Sequence, residues 1–150
     1  MPLFSETSTF EEILSQNGEL TYTSRGYSMY PLIRQNEDVL HIVKPSRPLK
    51  RQDVVLYKDK EHHYVLHRIL RIRKDGMLVL AGDHNYWKDP LVPSHCVLGI
   101  LKDITKKDGK VIELDKDRRL KGWLYVHFFY VKALCQRSVR LMAKLWKTGK

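Results

Sequence analysis

From residue 20 to residue 114 the chain breaks into short apolar runs separated by turn residues. The runs fall at 20–23, 38–43, 53–57, 64–72, 77–81, 97–104 and 110–114. Several alternate apolar and polar positions, as at Leu40 and Ile42 or Val54 and Leu56, which is the period of a strand with one face buried. Lys74-Asp75-Gly76 and Lys107-Asp108-Gly109 supply the residue types that tight turns require. Such a string of short strands with little helix predicts a compact, mainly β domain. A short helix precedes it: Ser8 and Glu11 fit a capping box, and Gly18 stops the helix after about two turns. Beyond the strands the period changes. Between residues 122 and 146, Trp123, Leu124, Phe128, Val131, Leu134, Leu141, Met142 and Leu145 recur at three- and four-residue steps with Lys and Arg between them, the pattern of an amphipathic helix.

Charge divides the chain at the same place. The 150 residues carry a net charge of +10. Residues 1–117 hold 18 cations and 17 anions, whereas residues 118–150 hold nine cations and no anion. The expected organisation is therefore a nearly neutral β domain at 1–117 followed by a basic helical tail at 118–150. A nucleic-acid binder would carry its positive charge on the folded body, so no specific nucleic-acid partner is expected. The Lys and Arg of 44–51 and 68–74 have acids nearby and read as a solvated face. Cys96 and Cys135 stand apart, which leaves no disulfide framework and no paired-cysteine metal or redox motif. No run of about 18 uncharged apolar residues is present, and the first 20 residues lack the basic start and apolar centre of a secretory signal. A cytoplasmic or peripherally membrane-associated protein is expected.

Three stretches could carry chemistry. In Gly26-Tyr27-Ser28-Met29-Tyr30-Pro31, a serine sits at a bend entered through a glycine and left through a proline. A serine hydroxyl needs a base to become a nucleophile. His67 lies within an apolar strand, and an imidazole, titrating ordinarily near ~6.5, can take a hydroxyl proton at neutral pH. Asp83 and Asp89 occupy one turn-rich loop, and either could orient the second nitrogen of His67.

Taken in order, Gly26-x-Ser28-Met29-x-Pro31, Leu49-Lys50-Arg51-Gln52-Asp53-Val54-Val55, His67-Arg68-Ile69 and Gly82-Asp83-x-Asn85 resemble the motifs of the type I signal peptidases and their relatives in the S24/S26 serine peptidase group. The resemblance covers residues 20–104. It implies a signal-peptidase-like β fold shared with the self-cleaving repressors, no cofactor, and Ser28 as the attacking nucleophile. A histidine before the Arg-Ile pair is similar to the archaeal and endoplasmic-reticulum branch, so His67 would be the base. In that branch the aspartate six residues beyond the Gly-Asp motif completes the catalytic set. Here that residue is Asp89, with Asp83 in support. Some members carry a serine hydroxyl for the oxyanion where this chain has Gly26, which leaves backbone donors or another side chain. The implied reaction is endoproteolysis of an extended peptide after a small residue, as in preprotein or leader-peptide processing. Met29, Tyr30 and Leu32 would line shallow apolar substrate pockets.

Other readings bear on the same residues. His62, His63, His67, His84, His95 and Cys96 are potential metal ligands, but residues four apart on a strand lie about 13 Å from each other, so no metal is expected. A peptidase fold that only binds peptides or regulates is the alternative function. In the tail, Trp123, Phe128, Lys132, Arg137 and Arg140 would meet an anionic membrane surface, the β domain or a second copy.

Overall fold

A computed structural model describes residues 9–114, 127–132, 134–136 and 138. It opens with helix α1, Phe10–Asn17. Thr9 caps it, its hydroxyl accepting from the Glu12 N–H at 3.3 Å while the Glu12 carboxylate accepts from the Thr9 N–H at 3.0 Å. The capping box therefore stands one residue later than Ser8 and Glu11 suggested. Glu11 is engaged elsewhere: it accepts from Lys58 Nζ at 2.8 Å and from the Tyr64 hydroxyl, which ties the helix to the sheet. Gly18 ends the helix in the left-handed region at φ 75°, where a side chain is disfavoured.

The strands are β1 Glu19–Thr23, β2 Val39–Val43, β3 Val54–Lys58, β4 Tyr64–Ile72, β5 Met77–Ala81, β6 Val92–Pro93, β7 Val97–Thr105 and β8 Val111–Glu113. They form one antiparallel sheet in the order β1-β2-β7-β3-β4-β5-β6, with β8 also on β7. Because β2 pairs with β7 from Ile100 to Thr105, β3 and β8 must share the opposite edge of that long strand. The mainly β expectation holds, and each expected strand lies within a residue of an observed one. Strand β6 is additional. It is two residues long, and Pro93 suits the sheet edge, where a missing N–H removes no ladder bond.

The sheet is covered on both faces. Val54 and Leu56 of β3 join Leu40, Ile42, Leu101 and Ile104, whereas Val55 and Tyr57 join Ile69, Leu78 and Leu80 in a second cluster. The one-faced alternation expected at Val54 and Leu56 therefore fails: Val55 and Tyr57 between and beside them are buried too, because β3 is covered on both sides. Met29, Leu32 and Ile33, from the connection between β1 and β2, plug into the first cluster. A polar staple holds the same connection. Lys106 Nζ bonds the Asp38 carboxylate at 2.6 Å and the Leu32 carbonyl, and Asp38 accepts from the Arg34 N–H at 2.7 Å.

Residues 127–132, 134–136 and 138 are helical. Phe129 is buried against Leu70 and Ala81, so this part of the basic tail packs on the β domain. Phe128, Val131 and Leu134 are more than half exposed. Trp123, Arg137 and Arg140 lie outside the described residues. Among the described residues no helix is long and apolar enough to cross a membrane.

Candidate active site

Ser28 stands at the start of the turn that the buried side chains of Met29 and Ile33 fasten to the core. Inside the turn, the Tyr30 N–H donates to the Tyr27 carbonyl at 3.0 Å and the Ile33 N–H to the Met29 carbonyl at 2.9 Å. The Tyr30–Pro31 peptide is cis. A second loop closes on Ser28 from the end of β5. The His84 N–H donates to the Ser28 carbonyl at 2.8 Å. A Cβ built on Gly82 would stand 2.4 Å from that carbonyl oxygen and 2.9 Å from Ser28 Cβ, so the approach requires glycine.

His67 comes from β4. Register places it directly opposite Val55 of β3, and Val65 directly opposite Tyr57, so His67 and Tyr57 are diagonal neighbours on one face of the sheet. Both reach Asp89. His67 Nδ1 lies 2.5 Å from Asp89 Oδ2, and the Tyr57 hydroxyl donates to the same oxygen at 3.0 Å. The His67 and Asp89 side chains are 8% and 9% exposed, so the pair is shielded from water. Burial, and after it the charge of Asp89, pushes the Tyr57 hydroxyl above its ordinary value, which keeps it a proton donor to the carboxylate. A carboxylate facing Nδ1 holds the proton there. The neutral ring then presents the Nε2 lone pair, as a general base requires.

Asp83 serves a different partner. Its two oxygens accept from Arg68 Nε and Nη2, each at 2.7 Å, and Arg68 Nη1 donates to the Gln52 carbonyl at 2.9 Å. Arg68 and Asp83 side chains are 4% and 2% exposed. The expectation of a solvated face at 68–74 therefore fails at its first residue. Arg68 sits beside His67 in the most buried part of β4, and a fixed carboxylate balances its charge. The question of which aspartate orients His67 resolves to Asp89. Asp83 anchors the loop between them, which is also held where the Asp89 N–H donates to the Leu80 carbonyl at 2.9 Å.

Ser28, Met29, His67, Asn85 and Trp87 line one cavity of about 1010 Å³. Tyr30 and Leu32 do not line it. Tyr30 is turned edge-on to His84, with ring centres 5.9 Å apart, and Leu32 is buried in the core. Of the potential metal ligands, His62 and His63 lie on the cavity with His67. Among the described residues no group of three or more His, Cys, Asp or Glu is gathered as a metal ion would need. Lys132 Nζ reaches the Asp83 carbonyl at 3.5 Å and lies over the Tyr86 ring, so the basic helix touches the loop that carries both aspartates.

No protein family, curated protein or solved structure matches this chain. What the site can do rests on its own geometry. A buried carboxylate contacts an imidazole, and that imidazole shares a cavity with a serine at a hydrogen-bonded bend. Two neighbours of these residues are not marked as site residues by the sequence alone. Tyr57 looked like one more apolar residue of β3, and only the β3–β4 register reveals its alignment with His67. Asn85 was visible as part of a motif, but its place beside Gly82 and Ser28 depends on how the loop folds back.

Proposed function

We propose that this protein is a serine endopeptidase resembling the type I signal peptidases, with Ser28 as nucleophile, His67 as general base and Asp89 as the residue that orients the base. The observation that carries this reading is the shielded contact of 2.5 Å between His67 Nδ1 and Asp89 Oδ2, on a histidine that shares its cavity with Ser28. A buried histidine with a merely structural role needs one good acceptor. Here a second donor, Tyr57, also braces the carboxylate, and the ring lines an open cavity large enough for several residues of a peptide.

In this mechanism His67 Nε2 takes the proton from Ser28 Oγ as Oγ bonds to the scissile carbonyl carbon. Collapse of the tetrahedral intermediate breaks the C–N bond, and the proton passes from His67 to the departing amine. Water then attacks the acyl-enzyme with His67 again as base, which releases the acid and restores Ser28. Asp89 stabilises the imidazolium formed in each half-reaction. The backbone N–H of Ser28 makes no hydrogen bond among the described residues and is free for the oxyanion. The Asn85 amide, on the same cavity, is the side-chain donor to join it, in place of the hydroxyl that Gly26 lacks.

A fluorophosphonate probe tests the reading. Wild-type protein should be labelled, Ser28→Ala should not be, and His67→Ala should react about 100-fold or more slowly, the usual scale of general-base assistance. Equal labelling of wild type and Ser28→Ala, or a folded wild type that the probe leaves untouched, would favour a peptide-binding role without catalysis.

A further inference from the structure

The cavity beside Ser28 differs in charge and shape from a site built for small, neutral side chains. None of the described residues lining it is an Asp or Glu. Arg25, three residues before the nucleophile, is exposed on its wall and makes no ion pair among the described residues. Among the described residues that line the cavity it is the one permanent cation. A fixed charge left open on the wall of a concave site attracts its opposite, and low-dielectric walls strengthen that field. The apolar part of the wall combines Met29, Ile33, Val65 and Leu66 with four aromatic rings. Phe10 stacks on Tyr64 with ring centres 4.4 Å apart and meets Tyr22 at 5.1 Å. Trp87 stands on the same cavity with 64% of its surface exposed. A volume of about 1010 Å³ with such walls is far larger than an alanine side chain needs.

We infer that the substrate is a peptide that presents a carboxylate to Arg25 and a bulky apolar side chain to the aromatic wall. This deepens the peptidase reading and rests on Ser28 marking the cavity where the peptide lies. The carboxylate could belong to a Glu or Asp side chain or to the peptide's C-terminus. Either would use the same guanidinium, which favours a planar anion it can bind through two N–H groups. Met29, the one expected pocket residue that does line the cavity, would form part of the floor.

Binding to the full-length Ser28→Ala protein tests this without requiring turnover. Decapeptides carrying a neutral dye, each with one Phe and with Glu placed at every other position in turn, would be compared with Gln and Ala counterparts. Each would be made as the C-terminal acid and as the amide. Replacing Glu by Gln at the preferred position should weaken binding about fivefold, the scale of one partly exposed ion pair. Adding Arg25→Gln to the protein should abolish that difference. Replacing Phe by Ala should weaken binding about tenfold or more, as loss of a buried aromatic ring does. Dependence on the internal Glu assigns the anion to a side chain, and dependence on the free acid terminus alone assigns it to the C-terminus. Either result supports the inference. Charge-independent binding, a Glu preference that survives Arg25→Gln, indifference to Phe, or no binding of any peptide would overturn it. The two readings fail separately: if the preferred peptide binds the Ser28→Ala protein as described and wild type never cleaves it, the recognition stands and the peptidase mechanism falls.

Discussion

Removing Asp83 and removing Asp89 should damage this protein in different ways, although the two carboxylates share one loop. Asp83→Ala takes away the two carboxylate acceptors of a guanidinium whose side chain is only 4% exposed, so Arg68 Nε and Nη2 lose partners at 2.7 Å while Nη1 keeps the Gln52 carbonyl. Breaking a buried ion pair from one side typically costs about 3–5 kcal/mol, because the remaining charge is poorly solvated. For a domain of this size each kcal/mol lowers Tm by roughly 2–4 °C, so a fall of about 6–20 °C is expected. Thermal unfolding followed by circular dichroism measures it. The double variant Arg68→Met, Asp83→Leu removes the charge together with its partner and should recover a large part of the loss, since apolar replacement of a whole buried pair is often close to neutral. Asp89→Ala should show the reverse balance. Neither neighbour, His67 nor Tyr57, carries a permanent charge as Arg68 does, so the loss of stability should be the smaller of the two, while probe labelling of Ser28 should fall by a factor of at least 100. An Asp83→Ala protein with an unchanged Tm would refute the anchoring role. Normal labelling in Asp89→Ala would refute the orienting role.

Two further perturbations reach other parts of the argument. Gly82→Ala places a methyl 2.4 Å from the Ser28 carbonyl oxygen, so one of the two loops must move. The expected result is a loss of labelling well beyond the loss of stability, and a fully labelled variant would show that the contact is not needed. His41 bridges three strands, with Nδ1 2.9 Å from Asp103 on β7 and Nε2 3.0 Å from Glu19 on β1. Partial burial works against its charged form, but the bonds and charges of Glu19 and Asp103 prevail and raise its pKa above the ordinary value. A raised folded-state value stabilises the fold fully below the unfolded value of ~6.5, and that stabilisation is lost as pH rises through the folded value. Glu19 is well exposed, so the advantage of wild type over His41→Gln should be at most about 1 kcal/mol. Urea unfolding at pH 5.5 and pH 8.5 should show it shrinking at the higher pH, and an equal difference at both would contradict the assignment.

The strands were legible because each is short, apolar and bounded by turn residues, and that local signal survives without knowledge of the partners. β6 was not, since two residues including a proline carry no period. The capping box was misplaced by one residue because Ser8 with Glu11 and Thr9 with Glu12 satisfy the same spacing. What decides between them is tertiary: Lys58 and Tyr64 claim Glu11. The same limit applies at the site. Ser28 and His67 could be singled out from residue type and setting, but the choice between Asp83 and Asp89 turns on which face of β4 each carboxylate reaches. Arg68 gave no sign of burial, because a lone arginine in an apolar strand reads the same whether its carboxylate waits across the loop or water does.

The placement of Arg68 directly after His67 on β4 accounts for the need for two aspartates. Adjacent strand residues point to opposite faces, so the loop leaving β5 must send one carboxylate to each side of the strand. Asp83 takes the Arg68 side almost immediately after Gly82, and this locks the loop while its backbone is in contact with Ser28. Only after several more residues does Asp89 return to the His67 side, where Tyr57 braces it. One ion pair on the far face thus fixes the loop that contacts Ser28 and carries the carboxylate facing His67. That the two aspartates serve opposite sides follows from the pleat of a strand, and the catalysis proposed at Ser28 should be sensitive to a salt bridge that does not line the cavity.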